Sequence, residues 1–110
     1  MSENHFDLVL EQLKERSVDR LLSADVFDLS AFEAFKDHLW RKAEGLRNEY
    51  YISKQILLSI RSAAEAIRSR AEYLPEVRGQ IHWADDFDMM LDQIIDGETR
   101  NDRQPGVPRI

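Results

Sequence analysis

Between Ser30 and Pro75 no proline interrupts the chain, and its apolar residues recur with the period of a helix. Ala43, Leu46, Tyr50, Ser53, Leu57, Ile60, Ala64, Ile67, Ala71 and Leu74 follow alternating steps of three and four, the a and d positions of a heptad pattern. Asn48, Gln55, Ser62 and Ser69 share the outermost position, and all are polar. Ile52, Ile56, Leu58 and Ala63 widen the apolar surface, so this stretch is covered from more than one side. Clear strand alternation is lacking, and no Asn-Gly or Asp-Gly turn joins two alternating runs. The expectation is an all-α protein, a helical bundle built on a long central helix over residues 31–74.

Length then poses a choice. One unbroken helix over 31–74 would measure about 66 Å at 1.5 Å per residue. A compact domain of this size has a radius of gyration of only about 13 Å. Either the helix breaks near Gly45 and folds back as a four-helix bundle, or it continues and pairs with a second chain. A glycine in a helix interior costs about 1 kcal/mol, too little to force a break. The pattern therefore favours a homodimer, with Leu46, Tyr50, Ser53, Leu57, Ile60 and Ile67 along its seam. Tyr50 and Ser53 would be polar seam positions that fix register at some cost in stability.

The flanking segments read as shorter helices. A first helix starts after Ser2, carries Phe6, Leu10 and Leu13 on one face with Val9 beside them, and either runs to Leu22 or breaks near Ser17. Ser23 to Leu29 is a connector with two apolar plugs, Val26 and Phe27. Ser30-Ala31-Phe32-Glu33 fits a capping box, in which serine and glutamate satisfy each other's backbone amides. Pro75 closes the central span, because its ring disfavours helix in the residue before it. EVRGQIHW follows with room for one helical turn, then Asp85 caps a last helix from Asp86 to about Asp96, and Gly97 ends it. Residues 1–96 form one domain, and 97–110, with two prolines and two glycines, read as a flexible tail.

Composition narrows the chemistry. The chain of 110 residues has no cysteine, which removes disulfides, zinc–thiolate sites and thiol nucleophiles. Its net charge of −6 works against general binding of nucleic acid or anionic membrane. The first residues, MSENHFDLVLEQLKER, are acidic and unlike a signal peptide, and no apolar run nears the roughly 20 residues of a membrane span. A cytoplasmic protein is expected.

One stretch, IHWADDFDMMLDQIID from Ile81 to Asp96, concentrates five aspartates. Helical spacing places Asp85, Asp88, Asp92 and Asp96 on one face, with Phe87, Leu91 and Ile94 opposite and Trp83 and Met90 at the edge. Two carboxylates on a helix, Asp88 and Asp92, are a way to hold Mg²⁺, as all-α nucleotide pyrophosphohydrolases do. That pattern needs paired glutamates answered by Glu-x-x-Asp on another helix; here the nearest are Glu72 and Glu76, with Pro75 between them. The simpler reading is that Asp85, Asp86 and Asp88 favour the start of a helix, where carboxylates complement the dipole. Asp92 and Asp96 then need a basic neighbour.

Arg47, Lys54, Arg61 and Arg68 recur every seven residues and would track about 32 Å along one helix, a possible phosphate-binding stripe. Glu44, Glu65 and Glu72 lie on the neighbouring face, and flanking charges more commonly set helix pairing. His5, His38 and His82 show no metal-ligand spacing, and Arg78 with His82 lies too close in sequence, across Gly79, for a ribonuclease-type pair. P-loop, nucleophile-elbow and dinucleotide fingerprints do not occur. The expectation is a small acidic protein-binding module, not an enzyme, of the regulator, antitoxin, immunity or inhibitor type. It would take no metal or cofactor and would meet its protein partner through Asp85, Asp88, Asp92, Asp96, Trp83 and Met89. The alternatives are the Mg²⁺-dependent phosphohydrolase and a nucleic-acid-binding dimer.

Overall fold

The computed structural model describes residues 5–100, and among them every regular element is helical. The order is α1 (Leu8–Lys14), a π-helical turn (Glu15–Asp19), α2 (Arg20–Ala24), α3 (Leu29–Leu46), α4 (Lys54–Ala71), α5 (Pro75–Arg78) and α6 (His82–Ile95). None of these helices is long and apolar enough to cross a membrane.

Asp7 caps α1, its carboxylate accepting the Leu10 amide at 3.0 Å. The helix runs without interruption through the π turn into α2. Ser17 donates its hydroxyl to the Leu13 carbonyl at 2.7 Å, competing for an acceptor of the helical ladder and widening it locally. Lys14 and Asp19, five residues apart, pair at 3.3 Å across that wide turn. Of the two expected courses, the helix that continues past Ser17 is the one that forms, with a bulge at Ser17. Leu10, Val18 and Leu21 are buried, whereas Phe6 and Val9 are exposed. Phe6 precedes the helix, and Val9 sits about 100° round from Leu10.

The cap of α3 is Asp28, not Ser30: its carboxylate accepts the Ala31 amide at 3.1 Å. Phe27, just before the cap, stacks on Phe32 at a centroid distance of 4.8 Å, a hydrophobic staple that fixes the entry of the chain.

The continuous central helix is not what forms. α3 passes through Gly45 and stops at Leu46; residues 47–53 turn the chain, and α4 starts at Lys54. Ser53 caps α4, its hydroxyl accepting the Gln55 amide at 3.1 Å. The chain folds back on itself, as in the broken-helix alternative. Its principal extents of 40 × 36 × 19 Å could not hold a helix of about 66 Å, and the thin dimension fits two helix layers of about 10 Å each. Leu46, Ile60 and Ile67 of the expected seam are buried in this chain's own core, and Leu57 is half-buried. Tyr50, by contrast, is 100% exposed in the turn. A core face and a dimer seam share one period, which is why the sequence pattern served both.

Pro75 stands first in α5, where a missing amide costs nothing. Arg78 then reaches back, donating to the carbonyls of Ala71 and Glu72 at 3.0 Å each and satisfying the end of α4. α6 begins at His82, earlier than expected, so Asp85 and Asp86 lie inside the helix and neither caps it. Its other end matches the expectation: the Glu98 amide bonds the Gln93 carbonyl at 2.7 Å and the Gly97 amide that of Ile94 at 3.1 Å, a Schellman motif. Gly97 supplies the required positive φ of 74°. Residues 97–100 are docked, not free: Gln93 donates its side-chain amide to the Thr99 carbonyl at 3.0 Å, and Arg100 pairs with Asp37 at 2.6 Å. The rest of the expected tail, 101–110, lies outside the described residues.

The core joins Phe32, Phe35, Trp83 and Phe87 in edge and tilted ring contacts to the aliphatic residues of α1, α2 and α4. Each such aromatic pair adds about 0.5–1.5 kcal/mol beyond the area it buries.

Candidate functional site

α4 and α6 pack closely and antiparallel, since Arg68 meets Asp85 and Asp88 at one end and Leu57 and Leu58 meet Leu91 and Ile95 at the other. This pairing answers the question of the aspartates. Arg68 Nη2 lies 2.9 Å from Asp85 and 2.6 Å from Asp88, and the two carboxylates stabilise the guanidinium's charged form. Lys36 of α3 pairs with Asp86 at 3.4 Å and sits 4.7 Å over the Trp83 ring. Three of the five carboxylates therefore face cations of the same chain. Asp92 is exposed and makes no ion pair among the described residues. Asp96 ends α6 beside Tyr50, in a cleft of about 410 Å³ that Arg47 and Ile52 also line.

The other expected contact residues separate. Trp83 is 8% exposed and belongs to the core. Met89 is exposed on the side of α6 turned toward α3, in a cleft of about 330 Å³ shared with Trp40 and Arg100. Arg100 lies 5.8 Å over the Trp40 ring and stands between that cleft and a groove of about 780 Å³ lined by Val9, Leu13 and Arg41.

What the sequence reading did not single out is a groove of about 160 Å³ between α4 and α6, walled by Leu57, Leu58, Arg61, Leu91 and Ile95. Leu58 is 46% and Ile95 60% exposed, so apolar side chains stand in the open there. Its α4 rim carries Arg61 and, further along, Arg68. Its α6 rim carries Asp88 and Asp92, one turn apart. The signal was available: Leu58 and Ile95 lie off the buried stripes of their helices, and only the pairing of the two helices was missing.

The expected basic stripe does not form, because Arg47 lies in the turn and Arg68 is held by two aspartates. Asp88 likewise faces an arginine, which disfavours it as a metal ligand; among the described residues no three His, Asp or Glu side chains converge to hold an ion.

A second polar cluster ties the fold together. Asp7 accepts from His38 Nε2 at 2.8 Å and Lys42 Nζ at 3.0 Å, while its backbone exchanges two hydrogen bonds with the Gln55 side chain at 2.9 and 2.8 Å. The second ring nitrogen of His38 lies 3.1 Å from Arg41 Nη2, which can only donate, so Nδ1 is the acceptor and Nε2 carries the proton toward Asp7. Burial would raise the Asp7 pKa, but the bonds from His38, the Leu10 amide and Lys42 outweigh it and hold the carboxylate well below its ordinary range. Lys42, 5% exposed, has this carboxylate as an anion within reach. Sequence spacing gave no hint of the cluster, whose members come from three elements.

Compared with protein-family models, with curated proteins and with solved structures, the chain finds no match.

Proposed function

We propose that this chain is a small acidic protein-binding module that acts without catalysis, of the regulator, antitoxin, immunity or inhibitor type. Its working surface is the α4/α6 face. The observation that carries this reading is the open apolar groove between α4 and α6, in which Leu58 and Ile95 stand exposed beside Arg61. Apolar surface at the centre supplies affinity, and charge at the edge supplies orientation and rate of encounter. The partner is a protein whose own surface offers apolar side chains beside charge of the matching sign. The residues that meet it are Leu58, Arg61, Leu91, Asp92 and Ile95, which keeps Asp92 from the sequence expectation and replaces Trp83, buried in the core.

Retention of host proteins on the tagged chain tests this. Leu58→Glu and Ile95→Asp, both at exposed positions, should keep the helical circular dichroism while lowering retention of the bound protein by about tenfold or more. Equal retention by the wild type and both variants would show that the face is not used.

A further inference from the structure

We infer that Arg100 closes, in cis, a surface site on α3 that takes an arginine side chain of a partner protein. None of its residues lines the α4/α6 groove. Asp37, Trp40 and Glu44 stand at i, i+3 and i+7 along α3 and share one face of that helix. Asp37, Trp40 and Arg100 are common to the groove on the α1 side and the cleft on the α6 side. The Arg100 guanidinium donates to Asp37 at 2.6 Å and lies 5.8 Å over the Trp40 ring. One side chain thus divides a depression that would otherwise run across α3. A carboxylate beside an indole face recognises a guanidinium, the first by charge-assisted hydrogen bonds and the second by stacking on the flat cation. The chain itself shows the fit, with Arg100 as the occupant.

That occupant is held loosely. The backbone is anchored one residue earlier, where Thr99 is buried and its carbonyl accepts from Gln93. The Arg100–Asp37 pair is more than half exposed on both sides, and such pairs are weak and screened by salt. Arg100 can therefore lift from Asp37 while Thr99 stays in place. The surface is then short of a cation. Lys36 is engaged with Asp86, and Arg41 is turned to His38. Asp37 loses the one ion pair it makes among the described residues, and Glu44 makes none among them. A partner's arginine restores the charge that Arg100 gives up. Apolar residues beside that arginine meet Val9 on one side of α3 and Met89 on the other, both half-exposed.

A nuclear magnetic resonance titration of the full chain with a blocked leucyl-arginyl-leucine peptide tests this. The Trp40 indole N–H signal should shift and saturate, while that of Trp83, in the core, stays in place and reports an intact fold. Arg100→Ala should bind the peptide about fivefold more tightly, the factor by which an exposed ion pair in cis lowers the open fraction. Arg100→Lys keeps a cation in cis and should stay near the wild type. Adding Asp37→Asn to Arg100→Ala should undo the gain. The citrulline analogue of the peptide has nearly the same shape without the charge, and should bind at least fivefold more weakly to Arg100→Ala. Three results would each overturn the inference. They are a Trp40 signal that does not move, an Arg100→Ala variant that binds no more tightly than the wild type, and a citrulline peptide that binds as well as the arginine one.

Discussion

At the scale of single residues, a side chain that no sequence pattern marked, Asp7, ties distant parts of the fold together. Its carboxylate serves as helix cap and as acceptor for His38 and Lys42, partners 31 and 35 positions away. Nothing in a linear pattern marks such a residue, since each contact depends on where α3 arrives. Asp7→Asn keeps a capping side chain but removes the charge next to Lys42, and should cost about 2 kcal/mol at pH 7. The sign of the pH dependence follows from the direction of the shift. A folded-state pKa held below the unfolded value gives stability that is full above about pH 4 and is lost as pH falls further. The gap between wild type and Asp7→Asn, measured by urea unfolding, should therefore narrow from pH 5 to pH 3. A constant gap would mean that Asp7 acts through shape alone.

At the scale of elements, the helical content, the stop at Pro75 and the end of α6 at Gly97 were legible, and the errors at the helix starts have a common cause. The stretch Phe27 to Glu33 offers two N-caps, Asp28 and Ser30, and the Ser-x-x-Glu pattern pointed to the second. The Phe27–Phe32 stack selects the first, because burying both rings requires the chain to enter the helix at Asp28. In α6 the same preference for acidic caps put the start at Asp85, whereas the turn after α5 already leads into helix at His82. Local rules named the right residue types, and tertiary packing chose among them. Asp28→Ala should lower stability by about 1 kcal/mol, while Ser30→Ala, inside the first turn, should change it by less than about 0.5 kcal/mol. Thermal unfolding of the two variants decides the cap; an equal or reversed order would return it to Ser30.

At the scale of the whole molecule, periodicity specified which face of α4 is covered but not by what. Ile60 and Ile67 would look the same facing a second chain as buried in this chain's own core, so the choice between an extended and a folded-back chain lay outside the pattern. The turn at 47–53 decides it, and that turn is gripped from a distance. A side-chain carbon on Gly97 would come within 2.7 Å of the Arg47 carbonyl, so the end of α6 abuts the end of α3 with no room for a methyl group. This contact also holds the last turn of α6, and so Ile95, level with Leu58 at the groove. Gly97→Ala combines a left-handed backbone, worth about 1–2 kcal/mol, with displacement of the turn. A loss of about 2 kcal/mol, or roughly 10 °C in Tm for a domain of this size, is expected. An unchanged Tm would show that the turn and the end of α6 are not coupled, and that some other contact sets the fold-back of the chain.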